Sequence, residues 1–157
     1  MMTSVAPDLL KGLPDDETAR VTALGTRITL AAGEPLFRLA KDADRIFVVS
    51  SGRIALTLPM QVRGRAEEIL VEEKLPGDTV GWSGLIQPYR FTLNATAAAP
   101  SELLAFARED LLGHLAAHPA VGHVVALNVA GVIGHRLQVF QTLWLREMQR
   151  VIELRYS

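Results

Sequence analysis

A mainly β domain with flanking helices is the fold class this chain predicts. The expected form is an eight-stranded jelly roll, or double-stranded β-helix barrel, with short helices before it and one long helix after it. Three observations carry the prediction. The apolar period changes from helical to two near Thr26 and returns to 3.6 near Arg108. Between those points the chain divides into eight short apolar segments separated by Gly, Pro, Asp and Ser. A final stretch of about 35 residues then carries apolar side chains at alternating steps of four and three. With 157 residues, the chain reads as a single domain over 1–157: a helical lead-in over 1–25, the barrel over 26–107 and C-terminal helices over 108–157.

Taken in order, Pro7 to Leu24 reads as short helices, with Leu9, Leu10 and Leu13 apolar and Pro14-Asp-Asp-Glu17 starting a helix with acids in its first turn. Gly25 ends it. Strands are expected at Thr26–Leu30, Pro35–Leu39, Arg45–Ser50, Arg53–Leu58, Glu67–Leu75, Val80–Trp82, Phe91–Ala98 and Glu102–Ala107. Ser51-Gly52 makes a tight turn and Arg63-Gly64-Arg65 a hairpin tip, the most mobile part of the barrel. A short helix follows from Arg108 to His118, stopped by Pro119, and a second runs from about Ala120 to Leu154. Its stripe, Val129, Ile133, Leu137, Phe140, Trp144, Met148 and Val151, has to be buried. A helix near 50 Å long outruns a small barrel. The remainder therefore calls for a second copy, with Val129, Ile133, Leu137, Phe140, Trp144 and Met148 as the dimerisation residues, and Gly122, Ala126, Ala130 and Gly134 allow close backbone approach on another side.

Composition narrows the function. The chain has 49% hydrophobic and 21% charged residues with a mean hydropathy of +0.22, apolar enough for a partner to cover part of its surface. A net charge of −1 gives no global attraction to nucleic acid or to an anionic membrane. Arg136, Arg146, Arg150 and Arg155 alternate with Glu147 and Glu153, the pattern of a solvated helix face, so no direct nucleic-acid contact is expected. No run reaches a membrane span, since Val121–Ile133 is interrupted by Gly, His and Asn. Met1–Pro7 has no basic region followed by an apolar stretch, so no signal peptide is expected and the compartment is read as cytoplasmic. Zero cysteines excludes disulfides and thiolate chemistry. His114, His118, His123 and His135 all lie in the helical C-terminal part, away from any barrel interior. No metal site, no cofactor, no nucleophile–base arrangement and no P-loop is found, and the chain is not expected to be an enzyme.

The stretch Gly77–Ala98 is the centre of the reading. Gly77, Gly81, Gly84, Pro88 and the lone Arg90 stand between two apolar runs. Ser83-Gly84 lets the backbone turn, Leu85–Gln87 is long enough for one helical turn, and Arg90 arrives as strand resumes. Free N–H groups of a helical turn and a guanidinium a few residues later build an anion pocket. An arginine among apolar strands needs an anion; the non-ligand choices are Asp78, or a position over the Tyr89 ring. Trp82 reads as a core or pocket-wall residue.

Gly77-Asp-x-x-Gly81, a short helical turn, then Arg90 and a strand of small residues resembles the phosphate-binding cassette of cyclic nucleotide-binding domains. Leu30–Phe37 and Asp44–Leu56 resemble the first strands of that family, and His135–Val139 its dimerisation helix, as in regulators of the catabolite-activator type. The resemblance covers roughly residues 8 to 150. It implies a non-catalytic regulatory domain that binds a small phosphorylated ligand, cyclic AMP or cyclic GMP, and signals through a homodimer to another protein. The ligand-binding residues it implies are Gly81, Trp82, Ser83, Gly84, Leu85, Arg90, Phe91, Thr92, Phe140 and Gln141. The family's cassette has a glutamate after the second glycine, where Trp82 and Ser83 stand here, and its loop is longer than Ile86–Arg90. The alternative is a ligand-free dimerisation or docking module with a degenerate cassette, in which the pocket is filled and Arg90→Ala loses stability but no binding. No helix-turn-helix is seen before Tyr156-Ser157.

Overall fold

A computed structural model describes residues 6–157; Met1–Val5, most of the N-terminal stretch read above, lies outside the described residues. After a 3-10 turn at Asp8–Leu10, the chain forms α1 (Asp15–Thr22), β1 (Thr26–Leu30), β2 (Pro35–Phe37), β3 (Arg45–Ser51), β4 (Ile54–Val62), β5 (Arg65–Lys74) and β6 (Thr79–Val80). A second 3-10 turn, Trp82–Gly84, leads to β7 (Asn94–Ala97), β8 (Ser101–Ala107), α2 (Arg108–Ala117) and α3 (Pro119–Arg155). The eight strands form two four-stranded sheets, ordered β1-β8-β3-β6 and β2-β7-β4-β5, with all pairings antiparallel. The predicted jelly-roll class is observed.

β3 explains why there are two cores. Its residues Ile46 to Val49 are all buried, so no face of the strand is left for water. Phe47 and Val49 point into the barrel with Ile54, Leu56, Val80, Phe91, Leu93 and Leu103. Ile46 and Val48 point outward, to Leu9, Leu10, Val21, Phe106, Leu111, Val121, Val125 and Val129. Alternation along one strand thus welds the barrel to its helices.

β2 ends two residues before the expected Leu39 and β5 begins two before the expected Glu67; three further boundary differences have a local reason. β4 continues through Pro59 to Val62 and closes on the two-residue turn Arg63-Gly64, both at positive φ. Proline is tolerated because β7 covers β4 only from Ile54 to Thr57, which leaves the other edge at Pro59 open. The strand expected to reach Trp82 stops at Val80, where Gly81 adopts φ +79° and turns the chain early, so the helical turn is Trp82–Gly84 and not Leu85–Gln87. The strand expected from Phe91 starts at Asn94, because Phe91 exchanges backbone bonds with Ala40 and Lys41 instead.

α3 uses its apolar residues in two ways. Val121, Val125, Val129 and Val132 are buried against the barrel side, and Arg136 is the last buried residue. Val129, expected in a dimer stripe, is 2% exposed within its own chain. Beyond Arg136, Leu137, Phe140, Trp144, Leu145, Val151 and Ile152 are all exposed. The expectation that no run reaches a membrane span is corrected here: α3 contains an 18-residue window of mean hydropathy 1.3, with 28% of it buried, and meets the length and composition of a span. Two apolar faces on one helix, one buried and one free, raise the mean.

Candidate ligand cassette

The cassette is held to β3 by close backbone approach. A Cβ on Gly84 would lie 2.9 Å from the Arg45 carbonyl oxygen, so only glycine fits without a shift. Ser83 and Gly84 are buried beneath the turn. Trp82 is half-buried, lining the cassette cavity and packing with Leu85 on the helical core.

Phe37, Leu56, Gly81, Trp82, Ser83, Phe91, Thr92, Leu93 and Arg136 surround a cavity of about 10 Å³. That is roughly the space for a single water, against the ~300 Å³ or more of an ordinary small-molecule pocket. Phe37 and Phe91 fill the rest. Their rings stack with centroids 3.7 Å apart and 4° between planes, and Phe47 lies behind at 6.1 Å from Phe37. Gly81 makes room for them, since a Cβ there would stand 3.1 Å from Phe91 and 3.3 Å from Phe37.

Arg90 is exposed, donates one bond to the Ala40 carbonyl at 3.3 Å, and forms a backbone bridge with Asp42. Neither non-ligand place expected for it is taken up: Asp78 accepts from the Leu75 N–H at 2.8 Å, and the guanidinium over Tyr89, 4.6 Å from the ring centroid, is that of Arg108. Phe140 and Gln141 are exposed on α3, and Leu85 and Gly84 are not on the cavity wall, whereas Gly81, Trp82, Ser83, Phe91 and Thr92 are.

Arg136 is the residue that the sequence reading missed. Taken there for part of a solvated helix face, it is 8% exposed, touches the cassette cavity, and donates from Nε to Glu72 at 2.8 Å. Glu72 also lies 3.1 Å from Lys74 Nζ and 3.3 Å from His135 Nε2. Burial would raise the Glu72 carboxyl, but the Arg136 hydrogen bond and the Lys74 charge together outweigh it and hold the group below its ordinary value. The only sequence signal for Arg136 was its place one turn from Ile133 and Val132, on the face that α3 buries. No group of three or more His, Asp or Glu able to hold a metal occurs among the described residues.

A model of the cyclic nucleotide-binding domain matches residues 27–118. The "Cyclic AMP receptor protein" of Thermus thermophilus is 26% identical over 130 residues, covering 83% of this chain and 57% of that protein. Among solved structures, the Thermus thermophilus catabolite activator protein has a TM-score of 0.73 at 26% identity, over 90% of this chain and 63% of that one. The N-terminal domain of a transcriptional regulator from Streptomyces coelicolor A3(2) has a TM-score of 0.69 at 26% identity, over 85% and 91%. The fold and the matched residues define a regulatory domain of the cyclic nucleotide-binding type. This chain belongs to the cyclic nucleotide-binding domain family, and it spans somewhat over half the length of the curated relative it matches.

Proposed function

We propose that this chain is a non-catalytic, cytoplasmic regulatory module that pairs with a second copy through α3 and passes its state to a protein partner, with its cassette closed to cyclic nucleotides at rest. The observation that carries this reading is the Phe37–Phe91 stack, which leaves about 10 Å³ where a nucleotide would have to sit. The exposed Arg90 agrees with it, since a guanidinium facing water cannot close over a buried phosphate. Dimerisation is supported by the exposed row Leu137, Phe140, Trp144 and Val151 on α3, with Ile133 half-buried at its start. With a net charge of −1, these residues offer nucleic acid no favourable field.

Titration calorimetry with cyclic AMP and cyclic GMP tests the closed cassette, and no heat from either is the expected result. Sedimentation of the wild type and of Leu137→Glu tests the dimer: a two-chain species that dissociates in the variant is expected, and a monomeric wild type at micromolar concentration overturns that part.

A second reading has one observation in its favour. Arg136 lines the cassette cavity while bound to Glu72, so a small phosphorylated ligand, cyclic AMP or cyclic GMP included, would find a buried guanidinium already in place if the stack opened. Saturable nucleotide binding that is lost in Arg136→Met and retained in Arg90→Ala would establish this reading and sink the first.

A further inference from the structure

On the opposite side of Glu72 from the cassette lies a cleft of about 360 Å³, between the N-terminal turn, the end of β5 and α3. Its size suits a small molecule. Its polar lining is unequal from inside to outside.

Lys74 stands at the inner end. It pairs with Ile54 across β4 and β5, a register position facing the barrel core, and is 4% exposed. Its ammonium has three N–H groups, and the one partner found among the described residues is Glu72 Oε1 at 3.1 Å. That same carboxylate is already taken by Arg136 at 2.8 Å. Glu72 is therefore shared between two largely buried basic side chains, and Lys74 keeps N–H groups for a further acceptor in the cleft. His135, 60% exposed and 3.3 Å from Glu72, adds no negative charge. An anionic group entering from the cleft would accept from these remaining Lys74 N–H groups.

The outer end has the reverse character. Asp8 accepts from the Thr79 hydroxyl on one oxygen and Asp78 from the Leu75 N–H on one, so each carboxylate that lines the cleft retains acceptor capacity. Asn128 spends both amide hydrogens on the Leu9 and Lys11 carbonyls at 2.9 Å, which leaves its side-chain oxygen as an acceptor. Lys11 also borders this end, with its residue exposed to solvent. Three acceptor side chains at the mouth and a lysine with spare donors at the base match a ligand with a cation at one end and an anion at the other.

We propose that this cleft binds a small zwitterion of the α-amino-acid type, its carboxylate on Lys74 and its ammonium among Asp8, Asp78 and Asn128. Leu127 and Val132 offer a short side chain apolar contact. The site is separate from the cassette and does not depend on whether the cassette binds a nucleotide.

The test is titration calorimetry of the full chain with the standard amino acids, and with carboxylate-only and amine-only analogues, up to about 10 mM, a range in which weak sites still register. Lys74→Met and Asp78→Asn are measured alongside, the second retaining an oxygen for the Leu75 N–H and serving alone if the first does not fold by circular dichroism. Saturable binding of at least one amino acid, weakened about tenfold or more in each folded variant and in both truncated analogues, is expected. Absence of saturable binding by every amino acid overturns the proposal. So does equal binding of a carboxylate-only or amine-only analogue, or affinity unchanged in the variants.

Discussion

Replacing Glu72 by glutamine removes the one carboxylate shared by Arg136, Lys74 and His135 while keeping the shape of the side chain. At an effective dielectric of about 20, the gross attraction of Glu72 is about 6 kcal/mol to Arg136 at 2.8 Å and about 5 kcal/mol to Lys74 at 3.1 Å. Desolvation of the three groups offsets most of this, and breaking a buried pair from one side costs about 3–5 kcal/mol. Glutamine still offers Arg136 an oxygen, so the lower end, about 3 kcal/mol, is expected. For a chain of this size that corresponds to a melting temperature lower by about 6–12 °C.

The pH dependence gives a sharper test. The folded Glu72 titrates below its ordinary 4.5, so its contribution is complete above that value and is lost as pH falls through the folded value. Urea unfolding of wild type and Glu72→Gln, at one protein concentration so that assembly does not shift the result, should give a difference that is constant from pH 7 to pH 5 and shrinks below about 4.5. A difference under about 0.5 kcal/mol at pH 7, or one unchanged down to pH 3, would refute the reasoning.

Phe91→Ala should lose about 3–5 kcal/mol in urea unfolding, because a stacked ring 5% exposed leaves a cavity behind, whereas Arg90→Ala should stay within about 0.5 kcal/mol of wild type because that side chain is exposed. Gly84→Ala should cost about 1–3 kcal/mol by the same assay, its Cβ meeting the Arg45 backbone at 2.9 Å. Asn94→Ala, read as a change in thermal midpoint, should cost about 1–3 kcal/mol, since it strands the Leu39 N–H now bonded to Asn94 Oδ1 at 2.7 Å.

Much of the architecture was legible because it is local. Gly, Pro and Asp punctuate every strand, and Pro119 marks the break between α2 and α3. The contents of the cassette were not, for a reason of register. Tyr89 adopts φ +57°, and the chain then enters the barrel with Phe91 inward and Arg90 outward. One residue of shift exchanges the two faces, and spacing alone does not say which residue faces in. The stack of Phe91 on Phe37 joins segments far apart in sequence, as does the pairing of Arg136 with Glu72. A lone charge on a helix reads as solvated until the strand opposite it is known. The apolar stripe of α3 was visible, but its division between barrel and solvent at Arg136 depends on where the barrel ends.

That division has a mechanical consequence. The segment 136–155 is continuous helix, about 30 Å long, and none of its residues beyond Arg136 is buried. It is a stiff arm anchored, where it leaves the barrel, by the Arg136–Glu72 ion pair. A rotation of about 5° at that anchor carries the far end through some 2–3 Å, enough to move one apolar side chain out of register with a neighbour. Small rearrangements around Arg136 would thereby be magnified in proportion to the length of the rod.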